Sequence, residues 1–87
     1  MSSPFKTLTT NSIEDALTQA IVAAIPDARV AVEQGGHGHF ALEVTSAAFA
    51  GKGLLDKQRL VYRAIAPLMA GPNAPVHAID RLETLDP

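Results

Sequence analysis

The chain has 87 residues, room for one domain, with 47% hydrophobic residues, a formal net charge of -2 and no cysteine. That apolar fraction suits a globular domain rather than a disordered one, and with aromatics at only 5% the core must be largely aliphatic. The absence of cysteine excludes disulfides, thiolate metal sites and a cysteine nucleophile, and the negative balance argues against a freestanding nucleic-acid binder, whose affinity comes from neutralising phosphates.

Residues 1–11 read as a polar, loosely ordered lead-in, and residues 12–87 as a single domain. The opening MSSPFKTLTT lacks the apolar core of a signal peptide, and no apolar run approaches the ~20 residues that span a bilayer. A cytoplasmic location without membrane contact is therefore expected. Ser12 is placed to cap a helix, with Asp15 three residues on as an acidic variant of the capping box. Ile13, Ala16, Leu17, Ala20, Ile21 and Ala24 then recur at helical spacing and predict one apolar face, and Pro26 stops the helix because it has no N–H to continue the ladder.

The period then changes. Ala28, Val30 and Val32 alternate with Arg29, Ala31 and Glu33, which predicts a strand with one buried face. Gly35-Gly36-His37-Gly38 breaks it, and Phe40, Leu42 and Val44 alternate in a second strand, antiparallel across a glycine-rich hairpin. Ser46 caps a single helical turn over Ala47 to Phe49. After Gly51-Lys52-Gly53, a longer helix runs from about Leu55 to Met69. Its inward face is Val61, Ala64, Ile65 and Leu68, helped by Leu54 and Leu60, and Pro67 predicts a kink or an early end. Gly71-Pro72-Asn73 is a turn. Val76 to Leu85 reads as a final strand of imperfect alternation, with Ile79 out of phase with Val76, Ala78 and Leu82. The order predicts an α+β domain with helices on one face of a three-stranded sheet.

Only His37, His39 and His77 have metal-binding character or acid/base character near neutral pH. His37 falls in the hairpin, His39 at the start of the second strand on the face opposite Phe40, and His77 at the start of the last strand. No pair has the helical spacing of a zinc protease, so no self-sufficient metal motif is present, and solvated surface imidazoles are the ordinary state of such residues. The carboxylates are scattered, nothing resembles a nucleophile elbow, and no helix follows the hairpin glycines as a dinucleotide fingerprint requires. No enzymatic activity is expected. Lys52, Lys57, Arg59 and Arg63, opposed locally by Asp56, form either the solvated side of a helix or a surface for an acidic partner or a phosphate backbone.

The ordered set His39-Phe40-Ala41-Leu42-Glu43-Val44-Thr45-Ser46, Ala48-Phe49-Ala50-Gly51-Lys52, Lys57-Gln58-Arg59-Leu60-Val61-Tyr62 and Val76-His77-Ala78-Ile79 resembles the BolA family, over about Ser12 to Leu85. The resemblance implies a class II KH-like α-β-β-α-α-β fold with a three-stranded mixed sheet. It implies a non-enzymatic adaptor, monomeric alone, that forms a heterodimer with a monothiol glutaredoxin and shares a [2Fe-2S] cluster with it in iron–sulfur trafficking or iron sensing. Glutathione and the glutaredoxin cysteine would supply thiolates. This chain would supply His77 and, from the hairpin, His37, with His39 the alternative. No cofactor is implied for the chain alone. A stress-linked transcription regulator, binding DNA through the short-helix, turn and long-helix segment, is the family's other implied role. Two departures stand out: Gln58 occupies a position where many members carry histidine, and the hairpin loop is short and histidine-rich.

Overall fold

The structure, a computed structural model, describes residues 12–87; the lead-in expected over 1–11 lies outside the described residues. Helix α1 spans Ile13–Ala24, and the Ser12 hydroxyl caps it by accepting the Asp15 N–H at 3.0 Å. Glu14 and Asp15 in its first turn complement the positive end of the helix dipole. Leu17 and Ile21 are buried, with Ile13 and Ala20 packed at their margin. Ala24, expected on the inward face, is exposed, and Ile25 is buried in its place as the chain leaves the helix.

Strand β1 (Arg29–Gln34) pairs antiparallel with β2 (His39–Thr45), Val32 opposite Leu42 and Gln34 opposite Phe40. A 3-10 turn at Ala47–Phe49 follows, then helix α2 (Leu54–Met69) and strand β3 (Ala78–Leu85). Strand β3 pairs parallel with β2, giving the mixed order β1-β2-β3. The central strand β2 therefore carries the core: Phe40, Leu42 and Val44 are buried, while His39 and Glu43 on the opposite face are exposed. Both helices cover the first face, α1 against β1 and α2 against β3, and they pack on each other.

In α2 the expected face is present at Val61 and Ile65, both fully buried, with Leu60, Ala64 and Leu68 at its edge. Leu54 departs from expectation: it sits in the first turn, 65% exposed. Pro67 does not end the helix early; α2 continues to Met69.

The last strand begins at Ala78, two residues later than its sequence suggests. Val76 is buried, but its N–H donates to the Leu68 carbonyl at 3.1 Å, which ties it to the end of α2 instead of to the sheet. The broken alternation beyond it has a structural cause. Phe40 is paired with Ile79, but Ala41 is paired with Arg81, so Asp80 is an extra residue forming a β-bulge. Ile79 and Leu82 can then both pack against the core despite their odd spacing.

One polar clamp joins the ends of these elements. Asp27, between α1 and β1, accepts the Ser46 hydroxyl at 2.6 Å and the Ala47 N–H at 2.8 Å. Ser46 is itself buried and caps the 3-10 turn by accepting the Ala48 N–H. The Ser46 hydroxyl first, and the Ala47 amide second, hold the Asp27 carboxyl below its ordinary range, because both bonds favour the charged form.

Candidate metal centre

The β1–β2 hairpin closes tightly: the Gly35 N–H donates to the His39 carbonyl at 2.9 Å and the His39 N–H to the Gly36 carbonyl at 3.0 Å. His37 stands exposed at its tip. The next residue, Gly38, is buried and adopts φ +77°, the left-handed region that a side chain disfavours. Its carbonyl accepts two N–H groups from the far end of the sequence, His77 at 2.8 Å and Ala78 at 3.1 Å.

Those bonds deliver His77 to the hairpin. The rings of His37 and His77 are 5.8 Å apart between centroids, at 78°, in an edge-to-face arrangement, and both residues are exposed. Parallel pairing is the reason. Because β3 runs alongside β2 in the same direction, its first residues lie beside the first residues of β2, next to the tip; an antiparallel strand would have placed His77 at the opposite edge.

Two imidazoles on one metal place their centres within about 6 Å, from metal–nitrogen bonds of about 2.0–2.1 Å plus roughly 1 Å to each ring centre. The observed pair, 5.8 Å apart between centroids, falls within that reach. Among the described residues no group of three or more His, Cys, Asp or Glu side chains converges as a metal site, so these two imidazoles could supply only part of a metal's ligands.

His39 does not join the pair. It points to the uncovered face of the sheet, where its Nδ1 lies 3.0 Å from Oδ1 of Asp80, the bulge residue, both side chains about half exposed. Sequence reasoning gave no hint of that contact, which links positions 41 apart. It also missed Gly38 as the base of the His77 site, although a glycine directly before the His39-Phe40 strand start is a visible signal of unusual backbone.

The basic residues form a separate surface. Lys52, Arg59 and Arg63 line a shallow groove of about 230 Å³ together with Asp56 and Leu60, and Lys57 lies outside it. Asp56 approaches Arg59 at 3.6 Å, with both side chains about two-thirds exposed, which leaves the groove's positive field little reduced. Gly53 caps α2 without a side-chain hydrogen bond, so the free N–H groups of the first turn add to that field. This groove opens at the start of α2, whereas His77 follows the segment tied to Leu68. Arg63, the lining cation farthest along α2, precedes Leu68 by five residues, about 7.5 Å at 1.5 Å per residue. The groove's lining includes neither His37 nor His77.

The family model for BolA-like proteins matches residues 10–85. Among solved structures, a Bol-like protein from Babesia bovis is 30% identical, with a TM-score of 0.68, covering 91% of this chain and 90% of its own. A BolA protein homologue from Coxiella burnetii is 32% identical, with a TM-score of 0.70 over 87% of this chain and 91% of its own. The BolA1 protein from Mus musculus is 29% identical, with a TM-score of 0.65 over 88% of this chain and 67% of its own. No curated protein sequence matches. No described helix is long and apolar enough to cross a membrane.

Proposed function

The chain belongs to the BolA-like protein family, and from that membership we propose that it is a non-enzymatic adaptor that receives a [2Fe-2S] cluster as shared cargo with a monothiol glutaredoxin. The observation that carries this reading is the approach of His37 and His77 to 5.8 Å on an exposed surface. A cysteine-free chain can offer a cluster no thiolate, and imidazole is the natural replacement for thiolate at iron, as in Rieske centres. The chain's part is to hold two imidazoles ready; the partner and its glutathione bring the thiolates. Histidine ligation raises a cluster's potential and is released by acid, since the ring must be neutral to bind. Such a mixed site suits transfer or iron sensing in the cytoplasm better than permanent storage.

The test is to titrate the chain into cluster-loaded monothiol glutaredoxin and follow the visible circular dichroism. The wild-type chain is expected to change the spectrum, His77→Ala and His37→Ala to abolish the change, and His39→Ala to preserve it. An unchanged spectrum, or a His77→Ala chain that behaves like wild type, refutes the assignment.

The groove at Lys52, Arg59 and Arg63 favours a second reading, contact with DNA in transcription regulation. Its measure is a fluorescence-anisotropy titration at several salt concentrations. Binding that persists at physiological salt, with a slope that tracks the phosphates neutralised, supports it; no binding there removes it.

A further inference from the structure

We infer that Gly38 is the positioning residue for His77, a floor on which the imidazole rests and which any side chain at position 38 would destroy. The functional weight of this inference rests on the reading of His77 as a ligand. A Cβ built on Gly38 would lie 2.5 Å from Nδ1 of His77, 2.7 Å from Cγ and 3.0 Å from Cε1. Contacts that short do not occur between real atoms, so the ring or the start of β3 must move. The same residue's carbonyl holds the His77 and Ala78 N–H groups, so the backbone and the ring are fixed by one position. His37, the adjacent residue, is thereby held at a set distance from His77 before any metal arrives.

The other hairpin glycines differ. Gly36 has open space where a Cβ would stand, and at Gly35 the nearest atom is an Asp80 carboxylate oxygen at an ordinary 3.8 Å. Neither has a positive φ. Glycine at 38 therefore answers two demands, the left-handed backbone and the ring above it, and only the second concerns the site.

A double-mutant cycle separates them without metal or partner. The chains are wild type, Gly38→Ala, His77→Ala and the double variant, with Gly36→Ala as the control. Apo wild type and Gly36→Ala should show a nuclear Overhauser contact between the His37 and His77 rings, and Gly38→Ala should lose it. In urea titrations, Gly38→Ala should reduce the folding constant roughly tenfold more when position 77 is histidine than when it is alanine, because overpacking costs stability only while the ring is there. If Gly38→Ala does not fold, the double variant should. Retention of the ring–ring contact in Gly38→Ala, its absence in wild type, or an equal penalty in both backgrounds overturns the inference. These readouts contain no cluster, so their failure leaves the shared-cargo reading standing, and a failed glutaredoxin titration leaves them intact.

Discussion

Ser46 holds three distant stretches together through one hydroxyl and one amide. Its hydroxyl donates to Asp27 at 2.6 Å and accepts the Ala48 N–H at 3.0 Å, while its N–H donates to the Leu85 carbonyl. Ser46→Ala keeps the amide bond and removes both hydroxyl bonds. Loss of a serine cap costs about 1 kcal/mol, a fall of about fivefold in the folding constant against a total on the order of 4–13 kcal/mol for a chain of this length. The melting temperature should drop about 4–8 °C. The loss also depends on pH. The Asp27 carboxyl is held below its ordinary range by these bonds, so the unfolded chain, with an aspartate pKa of about 3.9, binds more protons in that window. Stability from Asp27 is thus present above the unfolded value and is lost as pH falls through the lower folded one. Urea titrations of wild type and Ser46→Ala at about pH 7 and about pH 2.5 compare the chain above and below the unfolded value. The gap between them should be widest at the higher pH and shrink in acid toward the part due to the Ala48 cap. An equal gap at both pH values, or none at neutral pH, would show that the hydroxyl does not serve the carboxylate.

Two further outcomes follow from burial and charge. Phe49→Ala removes a fully buried ring from the 3-10 turn and should cost about 3–5 kcal/mol, read as a lower urea midpoint by far-ultraviolet circular dichroism; a loss below about 1 kcal/mol would contradict that burial. Arg59→Glu with Arg63→Glu reverses the groove and should abolish any DNA binding, yet leave the His37–His77 ring contact unchanged, because neither histidine lines the groove. Loss of both together in a folded chain would mean that the two surfaces are coupled.

Much of this molecule is legible in the sequence where the signal is local. The Ser12 cap, the period of Leu17 and Ile21, and the alternation of Phe40, Leu42 and Val44 each name an element that folds as written. Leu54 and Ala24 mislead because apolar residues in a terminal turn, or at a helix end, meet solvent once the chain turns away. The site is legible only in part. That His37 and His77 are chemically able to share a metal follows from residue type and from resemblance; that they meet depends on the parallel pairing of β3 with β2, which no local pattern encodes. The Asp27–Ser46 clamp and the His39–Asp80 contact are hidden for the same reason, since they join residues 19 and 41 positions apart.

The supernumerary Asp80 makes β3 two short runs in opposite phase, spliced at one residue. Forcing Asp80 into the ladder would impose a choice: either Ile79 or the run of Leu82 and Thr84 could keep its side chains indoors, never both, since a one-step slip turns every later side chain over. Deleting Asp80 would instead leave Ile79 and Leu82 two positions apart in a plain strand, and would take the His39 contact with it. A graft of this hairpin and histidine pair that keeps Asp80 has to carry the splice along with the two rings.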